Sequence, residues 1–248
     1  MTNLPRIALP LLLPFLFITT TSADDSADLK HKLEQRIKDI QIRELTPSPI
    51  PGLYEMIYDL QVGYASADGR FVFINGQLIE LESGRNLTAT RRTGLIQGAL
   101  ERASEKNMIV FAPEKTLRTI TVFTDVDCSY CARLHLEVPA LNKAGVKVRY
   151  LLYPRAGVGS ETYKRMESVW CSKDRKKAIG VVKAGGSVEA KTCTNPIKEH
   201  LELGKVLGVQ GTPSLVLDDG RMIPGYAPAQ ALLNELGIKD EKNKQTKP

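Results

Sequence analysis

The chain has 248 residues, of which 42% are hydrophobic and 25% charged, and a formal net charge of +6. That length is enough for two domains with buried cores, and the composition is that of a soluble globular protein rather than a disordered or fibrous one. The positive excess is small and scattered, part of it in the polar tail at 239–248, which argues for a solvated surface and against a nucleic-acid footprint.

Arg6 precedes a leucine-rich stretch from Ile7 to Ile18 and the small-residue end Thr21-Ser22-Ala23. This is the pattern of a secretory signal peptide over residues 1–23, cleaved after Ala23. Pro10 and Pro14 interrupt the apolar run, which is short for a membrane span. Export predicts an oxidising compartment in which disulfides persist.

Leu29, Leu33, Ile37 and Ile40 recur at helical spacing among charged residues, predicting an amphipathic helix. The segment Thr46-Pro47-Ser48-Pro49-Ile50-Pro51-Gly52 predicts a stiff turn or linker. The period then changes to two. Tyr54, Met56, Tyr58 and Leu60 fall on one strand face, with Glu55 and Asp59 on the other. Asp68-Gly69 and Asn75-Gly76 supply the positive φ angles of tight turns, so that 62–64, 71–74 and 78–81 are expected to form an antiparallel meander. The unit at 24–84, helix plus antiparallel sheet, is small enough to be marginal alone. A second copy would cover its exposed edges and aromatic faces, which predicts a homodimerisation module; the competing arrangement packs it on the rest of its own chain.

Leu95, Ile96, Ala99, Leu100 and Ala103 predict a helix within 85–107 that would act as a semi-rigid linker arm. Asn86-Leu87-Thr88 matches a glycosylation sequon, to which no role is assigned. From 108 to 238 strands and helices alternate, predicting an α/β domain. Its strands are expected at Met108–Phe111, Thr121–Thr124, Val146–Leu152, Ser214–Leu217 and Arg221–Pro224, with a helical insertion at about 154–209 and a closing helix from Pro228 to Leu236.

The chemistry gathers where the Thr121–Thr124 strand ends. Cys128 and Cys131 follow it, with a helical pattern through Leu134, Val138 and Leu141 behind them. A cysteine at a helix N-terminus meets unpaired N–H groups and the positive dipole end, which stabilise its thiolate. Cys128 is therefore the candidate nucleophile and Cys131, one turn deeper, the candidate resolving thiol. Of the three connectivities four cysteines allow, spacing and export favour 128–131 with 171–193, the latter closing a loop of about 20 residues. A zinc site made from all four, or including His135, is the competing reading, although the spacing fits no paired-knuckle pattern. Asp127 beside Cys128 would oppose the thiolate unless it points to solvent. His135 is left out of the catalytic set.

Gly211-Thr212-Pro213 precedes a strand, where proline forfeits a ladder hydrogen bond. Strand, Cys-x-x-Cys at a helix start, strand, helices, Thr-Pro, hairpin and helix together resemble a thioredoxin fold. That resemblance implies a cis Thr212-Pro213 peptide against the dithiol, where the backbone of the residue before proline pairs with a substrate chain. Phe-Thr-Asp-x-x-Cys-x-Tyr-Cys at 123–131, Leu134-His135, Trp170-Cys171, Gly-Thr-Pro at 211–213 and Pro224-Gly225-Tyr226, with the signal peptide and small first module, resemble the periplasmic disulfide isomerases of the DsbC type. The related DsbG-type proteins share the architecture, and the second cysteine pair favours the DsbC type. One departure stands at Ser129-Tyr130, where that family carries Gly-Tyr, and these residues influence the redox potential.

The resemblance implies a V-shaped homodimer that rearranges wrong disulfides in exported proteins and is kept reduced by a membrane reductase of the DsbD type, without metal or organic cofactor. Its rivals are a DsbG-like reductase of single cysteines, a dithiol oxidase, and a holdase chaperone with an incidental dithiol.

Overall fold

The structure is a computed structural model and describes residues 23–38 and 40–238. The signal-peptide reading of the first 22 residues and the polar-tail reading of 239–248 lie outside the described residues.

Helix α1 (Ala23–Arg36) buries Leu29 and Leu33 against a four-stranded antiparallel sheet, β1 (Ile42–Pro47), β2 (Leu53–Tyr58), β3 (Gln61–Ser66) and β4 (Val72–Phe73), in that spatial order. Strand β1 was not expected from the sequence. A register irregularity between Ile42 and Glu44 leaves the buried Ile42 and Leu45 three positions apart, which erases the period-two pattern. Leu60 belongs to the β2–β3 turn rather than to the strand face assigned to it, and packs into a different apolar cluster.

The meander expected through residue 81 ends at β4. Ile79–Glu80 (β5) pairs instead with Arg85–Asn86 (β6) as a separate small hairpin, closed by the Arg85–Glu80 ion pair at 2.9 Å. The cause is the helix that follows. Leu78 donates its N–H to the Thr88 hydroxyl at 2.8 Å and accepts from Leu87 N at 2.9 Å, so its backbone is satisfied by the helix start instead of a strand. That helix, α2 (Leu87–Arg102), is capped by Asn86, whose side chain accepts from Ala89 N at 2.9 Å; the sequon asparagine thus has a structural job.

The second sheet has the order β11-β10-β8-β9-β7, built from β7 (Ile109–Phe111), β8 (Arg118–Thr124), β9 (Val146–Leu152), β10 (Ser214–Leu217) and β11 (Met222–Pro224). Only β8 and β9 run parallel, joined by the crossover helix α3 (Ser129–Lys143). Helices α4 (Glu161–Trp170), α5 (Arg175–Lys183) and α6 (Ile197–Leu207) separate β9 from β10, and α7 (Ala229–Glu235) closes the chain.

One face of this sheet packs through Ile120, Val122, Val148 and Tyr150 against Leu134, Val138 and Leu141 of α3 and Val169, Ile179 and Val182 of the insertion. The other face packs through Phe123, Leu151 and Val216 against Leu207, Val209, Leu60 and the α2 stripe Ile96, Ala99 and Leu100. The apolar stripe of α2 is thus packed on this sheet. At Gly220, whose φ is +83°, a Cβ would lie 2.3 Å from the Thr93 carbonyl oxygen, so the β10–β11 turn touches α2 backbone to backbone.

Candidate active site

Strand β8 is buried from Ile120 to its end at Thr124; the chain then turns and α3 begins at Ser129. Cys128 occupies the N-cap position with extended dihedrals (φ −95°, ψ 118°), and its side chain caps no backbone N–H. Its sulfur instead donates to the Thr212 carbonyl at 3.2 Å. Cys131 lies one turn deeper and accepts from Asp125 N at 3.5 Å. Cys128 retains 6% exposure and Cys131 only 1%, and both are free thiols.

The Thr212–Pro213 peptide is cis and leads into β10 beside the dithiol. The Thr212 hydroxyl is buried next to both sulfurs without a closed hydrogen bond, leaving a donor free for a thiolate.

The two sulfurs differ electrostatically. Burial pushes the Cys128 thiol up, but the nearby Thr212 hydroxyl, available to a thiolate, together with Cys131 and the positive charge of Arg155 outweighs it, and the net shift is below the ordinary thiol value of 9.0. For Cys131 burial dominates; the Lys183 ammonium, the Asp125 N–H and the nearby Thr212 and Thr124 hydroxyls offset it only in part, and the net shift is upward. The outer sulfur is the easier thiolate.

Asp125 organises the surrounding loop. Its buried carboxylate accepts from Asp127 N at 2.8 Å and from Arg155 N and Nε, both at 3.0 Å. Asp127 does not point freely to solvent: it pairs with Arg165 and accepts from the Thr162 hydroxyl at 2.6 Å, both on α4. Ser129 opens α3, and Tyr130 is 54% exposed, stacked on Tyr226 at 6.4 Å. The Arg133 guanidinium lies over both rings, 5.8 and 5.0 Å from their centroids. Tyr130, Arg133 and Tyr226 thus form an aromatic, cationic rim near the head of α3.

Cys171 and Cys193 are bonded to each other, away from the dithiol, joining the C-terminus of α4 to the segment ahead of α6. That pairing removes the zinc site built from all four cysteines. His135 shares its Nδ1 with the Tyr150 hydroxyl at 3.1 Å, and burial, assisted by the Lys183 charge, pushes its pKa down to about 4. It is neutral at neutral pH.

Three features escaped the sequence reading: the Asp125–Arg155 pair, the Asp127–Arg165 pair and Lys183. Only the last left a signal, as a lysine in register with the apolar stripe Ala178, Ile179 and Val182 of α5.

A mixed sheet with a Cys-x-x-Cys pair at the start of its crossover helix and a cis-proline loop across from it defines a thiol–disulfide oxidoreductase of the thioredoxin class. Residues 105–237 match the family model of a thioredoxin-like domain, and residues 20–89 that of the disulfide bond isomerase protein N-terminal domain. Among curated relatives, the thiol:disulfide interchange protein DsbC of Dickeya dadantii is 37% identical over 92% of this chain and 93% of that protein. DsbC of Escherichia coli K12 is 37% identical over 90% and 91%, and DsbC of Haemophilus influenzae is 36% identical over 86% and 90%. The chain belongs to the DsbC family of thiol:disulfide interchange enzymes.

Proposed function

We propose that this protein is a periplasmic disulfide isomerase and reductase acting on exported proteins as a homodimer. The observation that carries the reading is the asymmetry of the dithiol: Cys128 at the α3 N-terminus with a lowered pKa, Cys131 buried behind it with a raised one. In this reading the Cys128 thiolate attacks a client disulfide, the client S–S bond breaks, and one client sulfur leaves as a thiolate while the other stays bonded to Cys128. A second client thiolate then displaces Cys128 and forms the rearranged disulfide, with no net change in oxidation state. Alternatively Cys131 attacks Cys128, releasing a client reduced by two electrons and leaving the 128–131 disulfide. A membrane reductase of the DsbD type would return the two electrons.

Thr212 and cis-Pro213 position the client backbone in this scheme, Ser129 and Tyr130 tune and frame the dithiol, and the Cys171–Cys193 bridge is structural. Residues 24–84 serve as the dimerisation unit, 85–107 as the linker and 108–238 as the catalytic domain with its insertion at 154–209. Support for the dimer comes from β4, an edge strand whose neighbourhood exposes Phe71, Val72, Phe73 and Ile74. The signal-peptide pattern and family membership support the periplasm, and no helix among the described residues is long and apolar enough to cross a membrane.

The test is repair of scrambled ribonuclease. Cys128→Ala is expected to abolish it and Cys131→Ala to retain part of it with trapped mixed disulfides. Full activity of the Cys128 variant sinks the reading; equal suppression of client aggregation by both forms, with isomerisation in neither, identifies a holdase. Sedimentation as a monomer at micromolar concentration removes the dimer.

A further inference from the structure

Lys183 is the one buried lysine or arginine among the described residues, 8% exposed in the last turn of α5. An ammonium taken out of water must find partners or titrate away. Its Nζ donates to the Thr124 hydroxyl at 2.8 Å and to the Asp125 carbonyl at 3.1 Å, and lies 5.8 Å from the centroid of the Tyr150 ring. These three groups line the floor of the dithiol: Thr124 ends β8, Asp125 carries the N–H that meets the Cys131 sulfur, and Tyr150 lies beneath.

No carboxylate among the described residues reaches Nζ within ion-pair distance. The groups facing it are Asp125 and Asp127 from the loop, Cys128 and Cys131 at the head of α3, His135 on α3 and Tyr150 on β9. Asp125 spends its carboxylate on Arg155, and Asp127 spends its own on Arg165. His135 is neutral at neutral pH, and burial holds the Tyr150 phenol protonated well above its usual range. Burial pulls the Lys183 pKa below its ordinary value, and the groups that oppose this are the two sulfurs and the two carboxylates. With both carboxylates paired elsewhere, the anion left to face the ammonium is a cysteine thiolate.

We propose that Lys183 is a positioning residue for thiol–disulfide exchange, whose buried positive charge stabilises the thiolate that Cys131 must form to resolve a mixed disulfide and so favours the reduced dithiol over the disulfide. This rests on the nucleophile and resolving roles given above to Cys128 and Cys131. In the step it assists, the Cys131 thiol releases its proton to solvent. Its sulfur bonds to that of Cys128, the Cys128–client S–S bond breaks, and the client sulfur leaves as a thiolate that takes up a proton; the enzyme is oxidised and the client reduced by the same two electrons. The hydrogen bonds to the Thr124 hydroxyl and the Asp125 carbonyl fix the ammonium from two sides.

The test uses the full chain carrying Cys128→Ser, in which Cys131 is the remaining titrating thiol, with its 13Cβ shift followed against pH. Adding Lys183→Met is expected to raise the Cys131 midpoint by at least about one unit, a tenfold loss of thiolate at a given pH. In the intact dithiol the same substitution should move the glutathione equilibrium toward the disulfide, approaching tenfold, or about 30 mV of potential, at a pH above the Cys131 midpoint and fading below it. Lys183→Gln, which keeps a hydrogen-bond donor but no charge, should behave like Lys183→Met and gives a second route if the methionine variant fails to fold. A melting temperature that changes while the Cys131 midpoint and the potential stay put, or a glutamine variant indistinguishable from the parent, overturns the proposal. The Cys131 titration answers independently of ribonuclease repair, so failure of the isomerase reading shows up separately.

Discussion

His200 makes the acid sensitivity of this fold measurable. Its imidazole is buried on α6 against the edge of Trp170, with ring centroids 6.4 Å apart; Nδ1 accepts from Leu152 N at 3.1 Å, and Nε2 faces the Asn107 backbone without closing a hydrogen bond. Burial pushes its pKa from 6.5 down to about 4. In the unfolded chain it protonates near 6.5, so between these values the unfolded state binds more protons and stability falls as pH falls. The contribution is fully present above pH 6.5 and lost progressively toward pH 4. With those two values, linkage gives a loss of about 2 kcal/mol between pH 7 and pH 4.5 from this one group. His135, depressed to about 4 as well, acts in the same direction.

The assay is urea unfolding of the protein and of His200→Asn across this range. Asparagine can present an oxygen where Nδ1 stands, keeping the acceptor for Leu152 N, and it does not titrate. The variant should lose about 1–3 kcal/mol at pH 7 through lost ring packing, yet its stability should fall by about 2 kcal/mol less than the parent's on going to pH 4.5. Parallel curves for parent and variant would refute the reasoning, because they would mean that His200 protonates in the folded state as readily as in the unfolded one.

Iodoacetamide at pH 7 should label Cys128 well before Cys131, with a reactivity midpoint for Cys128 below 9.0; equal labelling contradicts the asymmetry. Because the folded Cys128 value is depressed, the reduced protein should also gain stability as pH rises through that value toward 9.0, whereas the raised Cys131 value withdraws stability above it. Replacing both Cys171 and Cys193 by serine should cost about 3 kcal/mol in urea unfolding, from the loop of about 20 residues that the bridge closes, without moving the Cys128 midpoint. Asp127→Asn should shift that midpoint by less than about 0.5 unit, since Arg165 and Thr162 already engage the carboxylate; a shift of a full unit shows that the charge reaches Cys128.

Where periodicity and turn chemistry agree with tertiary packing, this fold can be read directly from the chain. The strands β8, β9 and β10 are short apolar runs, buried over most of their length, and α3 carries its stripe at Leu134, Val138 and Leu141. The sequence misleads where local geometry breaks the period. In β1 a register irregularity puts Arg43 and Glu44 between two buried residues, and the run reads as charged coil. At residues 78–81 the apolar pattern is that of a strand, but the nearest unsatisfied backbone groups belong to the N-terminus of α2, and they capture Leu78. The α2 stripe was visible, yet what it packs on was not, because a stripe says only that a face is buried.

The dithiol shows the same division more sharply. A cysteine pair behind a buried strand announces redox chemistry through spacing alone, and Thr212-Pro213 is recognisable as its neighbour only because the order of elements closes the sheet around it. Which sulfur ionises first is decided by groups far apart in sequence: Arg155 from the loop after β9, Lys183 from α5, Thr212 ahead of β10. Each of these residue types is common on surfaces, so none stands out until the fold brings it within reach of a sulfur. If Ser129 and Tyr130 tune the potential as proposed, they do so together with two cations, Arg155 and Lys183, that the motif itself does not contain. An account of this protein's potential that considers only the two residues between the cysteines leaves out Lys183, whose charge lies behind the motif rather than within it.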